Sequence, residues 1–368
     1  MGPTMSKTPE KSGITFKDLL SQKQWNNYSQ FISEAPAHYE KEIREDIIRE
    51  QRIREALRKE VLERGYTLRN YDTNLSVAEK FLFNGQVIGI DGTVARHQML
   101  SGIRCQIGVV AVNYLNEKIR HSYFISEANL RNDTEDVLEI LKRREPKNQP
   151  ISNLVIRALM LYREREVAVR SEYENAYKML HGPLLPFELM MGLGRLRALY
   201  TTLDILKKVV ADPKTFSIIS TSRYNDYITL GTALKPGEYM VDEKFSLGDE
   251  LADNESFMAS TQWRPREFEH VEQFLREKAS RILTGVIKVG QRPYMFHAHR
   301  DTFDLAAAII ARDSLLQPEK GFPLLIDYAD TLCSEYFPAG DFIRLMNYQL
   351  AREGQFLTET DEREMRLK

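Results

Sequence analysis

The chain has 368 residues, 42% of them hydrophobic and 28% charged, with 51 basic against 53 acidic side chains and a formal net charge of -2. That is globular composition with enough length for one elaborated domain or two, and it excludes an intrinsically disordered or collagen-like chain. A near-neutral balance also means that any polyanion partner must be met by a local basic groove, not by the field of the whole surface. Cys105 and Cys333 lie far apart and fit no metal-ligand spacing, so they read as buried thiols in a reducing compartment, and a cytoplasmic location is expected. The longest notable apolar run, Leu305 to Ala311, is too short to span a bilayer, the first residues lack a signal-peptide core, and no membrane association is expected.

Residues 1–15 read as a loose terminus. From Ala37 to Glu63 a charged helical pattern follows Pro36, with Ile43, Ile47, Ile53, Leu57 and Val61 along one broad face and Gly65 as its C-cap. Three strands come next: Val87–Asp91 (VIGID), Ile103–Tyr114 and Ile119–Ser126, the last two joined as an antiparallel hairpin by a turn at Asn116-Glu117. Helices are expected at Glu135–Arg144 and Asn153–Leu180, broken by His181-Gly182-Pro183, and again at 187–211 up to Asp212-Pro213. Phe216–Ser220 reads as a short buried strand, and 231–265, rich in Asp, Glu, Gly and Ser, as an insertion or loop. A helix near Phe268–Ala279, a strand near Arg281–Lys288, helices at Thr302–Leu315 and Leu324–Tyr336 and a polar tail from Thr358 complete the chain. The expected architecture is mixed α/β: an RNase H-like core, its mixed sheet flanked by helices, with an N-terminal helical extension over 1–80, a main domain over 81–337 and a C-terminal helix and tail over 338–368.

Asp91 is the leading candidate for chemistry. It ends a buried strand, so its carboxylate is held rigidly, and the following Gly92 has no Cβ to obstruct a close approach. Asp-Gly is also a common turn dipeptide. A second source of carboxylates is Arg163-Glu164-Arg165-Glu166 on the long helix. Such a run alone is usually a solvated face, but phosphodiester hydrolysis through a metal seldom manages with one carboxylate. Glu164 and Glu166 point about 200° apart on a helix, so at most one of them can join Asp91. His297 and His299 share one side of a strand but lack a third ligand and read as structural. Arg163, Arg165, Arg195, Arg197 and Arg223 are candidate contacts to phosphates.

The segment Ile88–Thr93, IGIDGT, resembles the first motif of the NurA nucleases. The resemblance continues through the Arg- and Glu-bearing helix, then MLHGPLLP (Met179–Pro186) in place of a strand ending in Asp-Gly, and Gly321-Phe322-Pro323 followed by a helix reaching Asp330. It runs from about residue 85 to 337. It implies a DNA nuclease, exo- or endonucleolytic, that depends on Mn²⁺ or Mg²⁺. It also implies Asp91, Glu164 or Glu166, His181 and Asp330 as site residues, with the metal held by Asp91, one of the two glutamates and His181. The implied partners are DNA, a second copy of the chain and a hexameric HerA-type ATPase translocase, in DNA repair by end processing or in anti-phage defence. His181 stands where the family has a metal-binding aspartate and Phe322 where it often has tyrosine. Imidazole suits Mn²⁺ better than Mg²⁺, or another carboxylate such as Glu188 takes the role. Two rival readings follow: a silent NurA-like adaptor on the translocase, and an actin-like or sugar kinase-like ATPase, since strand-Asp-Gly-Thr also opens those folds. The second rival lacks its usual further phosphate-binding glycine motif, because Gly192-Leu193-Gly194 lies in an expected helix.

Overall fold

A computed structural model describes residues 28–99, 101–115, 122–131, 134, 153–192, 198–220, 225–260 and 263–354. The expected turn at 116–117, the helix at 135–144 and the tail from 358 lie outside these. Contacts divide the chain into two compact units, 1–56 and 57–368. Helix α1 (Tyr28–Glu63) begins upstream of Pro36, which interrupts one backbone bond without ending the helix. In the first unit Ile43, Ile47, Ile48 and Ile53 are exposed, interspersed with surface ion pairs such as Arg54–Glu50.

The second unit is built on a nine-stranded sheet among the described residues. Its strands are β1 (Thr67–Asn70), β2 (Val87–Met99), β3 (Gly102–Val112), β4 (Ser122–Arg131), β5 (Tyr177–His181), β6 (Thr215–Ile219), β7 (Glu238–Val241), β8 (Ile282–Ile287) and β9 (Tyr294–His299). They lie in the order β1-β7-β8-β9-β6-β5-β2-β3-β4. The β2-β3-β4 meander is antiparallel, as the sequence predicts, and β2, β5 and β6 run parallel. Three antiparallel strands, then parallel strands added beside the first, is the RNase H-like arrangement. The remaining four strands extend it by antiparallel pairing from β6 through β9, β8 and β7 to β1.

Both faces of the sheet are covered, so the central strands are apolar on both sides. One face carries α3 (Asn153–Ala168), α4 (Phe187–Met190), α5 (Leu199–Ala211) and α9 (Pro265–Glu277), with Ile88, Ile90, Ala158, Leu161, Leu180 and Leu206 in one cluster. The opposite face carries α2 (Leu75–Phe83), α10 (Phe303–Ser314) and α11 (Leu324–Tyr336), with Val87, Val110, Ala307, Leu325 and Ala329 in another. Helix α11 lies so close to β2 that a Cβ at Gly89 would sit 2.9 Å from the Leu325 carbonyl oxygen.

Several expectations need correction. Strand β2 does not stop at Asp91; β3 pairs with it through Asp91↔Val110 and Gly92↔Val109, which keeps the Asp-Gly pair extended. The long helix ends at Ala168, because Arg170 is extended, and Met179-Leu180 belong to β5. The 231–265 region is not an irregular loop. It holds β7, α6 (Asn225–Gly231) abuts it, and α7 (Leu247–Ala252) opens with a Ser246–Asp249 capping box, followed by α8 (Glu255–Ser260). The expected helix over 187–211 is two described pieces, α4 and α5. Helix α12 (Ala339–Arg352) follows α11. No helix is long and apolar enough to cross a membrane among the described residues. Cys105 and Cys333 are both buried and unbridged.

Candidate active site

In open α/β sheets ligands gather beyond the carboxyl ends of parallel strands. Here that edge carries three polar side chains from three adjacent strands. Asp91 directly follows Val87–Ile90, the stretch of β2 paired with β5. His181 is the last residue of β5, and Ser220 comes just after β6. The His181 Nδ1 lies 3.1 Å from Asp91 Oδ2, and its Nε2 lies 2.9 Å from Ser220 Oγ. The other Asp91 oxygen, Oδ1, accepts the Gly92 N–H at 2.9 Å. An ionised carboxylate can only accept, so Nδ1 donates to Asp91, while Nε2 accepts from the Ser220 hydroxyl when the ring is neutral and donates to it when the ring is charged. Phe322 packs edge-on against the imidazole with ring centroids 5.8 Å apart. The Cys333 thiol donates to the Asp91 carbonyl at 3.3 Å, tying α11 to the same strand.

The flanking helices add two further carboxylates. Glu164, on α3, is 1% exposed. A Cβ at Gly92 would lie 2.7 Å from Glu164 Oε1, so the glycine makes room for this glutamate. Arg165 Nη1 donates to Glu164 Oε2 at 2.6 Å, while Nη2 donates to the Pro183 carbonyl at 2.6 Å. One guanidinium therefore fixes both the glutamate and the turn after His181. Burial is the main cause that lifts the Glu164 pKa above its ordinary value, and the Asp91 charge adds to it against the pull of Arg165. Asp330, on the exposed side of α11, has its pKa raised by burial and by the charge of Asp91. Burial works against a charged His181, but its hydrogen bond to Asp91 and the charges of Asp91, Glu164 and Asp330 outweigh that and raise its pKa.

The remaining candidates fall elsewhere. Glu166 points to the outer face of α3 and pairs with Arg163 at 2.6 Å beside Val109 and Phe124. Arg165 is 0% exposed and so cannot reach a phosphate; its role is to hold Glu164. Arg195, Arg197 and Arg223 lie outside the described residues. Glu188 is buried against Arg157 at 3.3 Å. His297, on β9, is neutral, its pKa pushed down to about 4 by burial, and its Nδ1 accepts the Leu184 N–H. The Nδ1 of His299 accepts the Asp301 N–H, so both histidines are structural. Both ring nitrogens of His181 are engaged, Nδ1 with Asp91 and Nε2 with Ser220. Ser220 is the residue that sequence reasoning passed over; its only signal is a hydroxyl at the end of an apolar strand beside β5.

Among the described residues no three or more His, Cys, Asp or Glu side chains form a ready-made cage for a metal ion. The chemistry of the donor set nevertheless fits a divalent cation. Asp91, Glu164 and Asp330 are hard oxygen donors, the charge of Asp91 makes Glu164 and Asp330 harder to ionise, and a dication would relieve that repulsion.

No protein-family model matches the chain, and no curated protein matches it in sequence. Among solved structures it is similar to the NurA nuclease from Sulfolobus solfataricus, with 13% identity, a TM-score of 0.50, and coverage of 88% of this chain and 97% of that one. The fold is NurA-like. A NurA structure with manganese is a weaker likeness, with 10% identity, a TM-score of 0.40, and coverage of 75% of this chain and 92% of that one. At these identities the first likeness speaks for the NurA-like fold alone, and the second adds nothing about the site.

Proposed function

We propose that the chain is a metal-dependent deoxyribonuclease. The observation that carries this reading is the meeting of Asp91 and Glu164 beyond the parallel strands, with Gly92 cleared of a Cβ between them. Asp91 and Glu164 would hold Mn²⁺ or Mg²⁺, with Asp330 as the further oxygen donor. When bound, the cation would lower the pKa of a water and stabilise charge on the scissile phosphate. Arg165 keeps Glu164 in place from behind, so the carboxylate need not reorganise as substrate binds. His181 orients Asp91 through Nδ1, and Ser220 engages the other ring nitrogen.

We further propose the associations that the family resemblance implies: DNA as substrate, self-association as a dimer, and a hexameric HerA-type translocase as partner in end processing or anti-phage defence. The exposed isoleucines of α1 support an association role for that helix. A second reading, a catalytically silent adaptor, is favoured by one observation: His181 stands where the family has aspartate and is fully engaged between Asp91 and Ser220. End-labelled single- and double-stranded DNA incubated with Mn²⁺, Mg²⁺ or EDTA, with and without a candidate hexameric ATPase, separates the two. Metal-dependent fragments support the nuclease; intact DNA under every condition, with assembly retained, supports the adaptor.

A further inference from the structure

We infer that Lys320 and Arg292 hold backbone phosphates of the DNA strand where it crosses the sheet edge beside Asp91, an inference that rests on the nuclease reading. A site built from Asp91, Glu164 and Asp330 repels a polyanion, so binding needs cations close by but outside the carboxylates. Of the arginines expected for this, Arg165 is buried and Arg163 pairs with Glu166 on the outer face of α3. Topology brings two other cations to the right edge. Strand β9 runs antiparallel to β6, with Met295 opposite Ile219, so the turn between β8 and β9 lies beside Ser220. Arg292 is in that turn and exposed. Lys320, its side chain 52% exposed, is in the segment between α10 and α11.

A chain of ring contacts joins both cations to the site. The Phe322 ring lies 5.8 Å from that of His181 and 5.0 Å from that of Tyr294. The Lys320 ammonium sits 5.6 Å from the Phe322 centroid, and the Arg292 guanidinium 5.6 Å from the Tyr294 centroid. Both rings are buried, at 2% and 7% exposure, so they support the cations from behind and do not stack on bases. Contact is therefore to phosphates and carries no sequence preference. The two segments are locked backbone to backbone. A Cβ at Gly321 would lie 2.4 Å from the Gly290 nitrogen, one at Gly290 would lie 2.7 Å from the Pro318 carbonyl oxygen, and the Tyr294 hydroxyl donates to the Lys320 carbonyl at 3.1 Å. Lys320 pairs with Asp327, whose Oδ2 also accepts from Gln317 Nε2 at 2.7 Å. A partly exposed pair contributes little, so a phosphate can take the ammonium while Gln317 retains Asp327.

The test is fluorescence anisotropy of end-labelled single-stranded oligonucleotides of two unrelated sequences, titrated with the full-length protein in EDTA so that no strand is cut. K320Q and R292Q, with melting temperatures checked, should each weaken binding by on the order of 5- to 10-fold at about 50 mM salt. Each should also lower the slope of log affinity against log salt by about 0.7, equally for both sequences. K208Q alters an exposed lysine in the last turn of α5, which leads into the start of β6 and so lies toward the opposite sheet edge. It should bind as the wild type does. K320Q and R292Q proteins that bind like the wild type with an unchanged slope, or a loss confined to one sequence, overturn the inference. A wild type that binds neither oligonucleotide overturns it as well. Because nothing is cut in this assay, these outcomes leave the nuclease reading to its own metal-dependent cleavage experiment.

Discussion

Arg165 and Glu164 are neighbours in sequence and still bond to each other, Nη1 to Oε2 at 2.6 Å, with side chains 0% and 1% exposed. Removing one partner of a buried ion pair strands the other charge, whereas replacing both with apolar groups is far better tolerated. R165M should therefore cost about 3–5 kcal/mol in denaturant unfolding. The double variant R165M/E164L should recover most of that loss. A single variant as stable as the wild type would mean that Glu164 is protonated or hydrated in place and is not held by Arg165.

The two helix glutamates should separate cleanly. E164Q removes a carboxylate beside Asp91, and DNA cleavage should fall by about 100-fold or more, at or beyond the upper end for residues that only support a metal ligand. E166Q breaks only a half-exposed pair with Arg163 and should stay within about two-fold of wild type, as surface pairs contribute little. Rates measured side by side check this, and equal losses would place the second ligand elsewhere.

Asp91 and Glu164 were both visible in the sequence, Asp91 as the carboxylate after VIGI and Glu164 as one of an undecided pair. Helical angles alone separate Glu164 from Glu166 but cannot choose between them, because the choice depends on which face of α3 meets the sheet. The strand at Tyr177–His181 is hidden because five residues of mixed polarity, YKMLH, running on from a helical pattern are too few to show a period of their own. Strand β7 is hidden for a different reason: its four residues sit in a polar stretch, and antiparallel pairing with β1 and β8 creates it. Arg165 reads in the sequence as a candidate phosphate contact. Its burial becomes legible only when the turn at Pro183 is brought against α3, and Ser220 likewise acquires meaning only from its neighbour on β5.

Glu250, on α7, should make stability depend on pH. Burial lifts its pKa to about 7, against a hydrogen bond from Thr284 that lowers it. A carboxyl that binds its proton more tightly when folded favours the folded state at low pH. That contribution is lost as pH rises from the ordinary glutamate range near 4.5 through about 7. E250Q keeps a hydrogen-bond acceptor for Thr284 and carries no charge. It should match the wild type at pH 5 and exceed it at pH 8 by on the order of 1 kcal/mol. Urea titrations at both pH values check the difference; a variant less stable at pH 8 would contradict it.

His181 lies between three carboxylates, and H181D would add a fourth in its place. Without metal this variant should melt lower than wild type through like-charge repulsion. With Mn²⁺ or Mg²⁺ its melting temperature should rise more than that of the wild type, because binding to the folded state alone stabilises it. Thermal shift across a metal titration reads both effects. An H181D protein indifferent to either cation would remove position 181 from the metal's surroundings.

The most direct measurement compares wild type with D91N on labelled DNA in Mn²⁺ and in Mg²⁺, with melting curves recorded on the same preparations. The substitution preserves shape but removes the charge that a cation needs and that pairs with His181. The account predicts metal-dependent fragments from wild type, none above background from D91N, and a melting temperature for the variant nearly equal to wild type or higher. Cleavage by D91N at the wild-type rate would contradict the account at its centre.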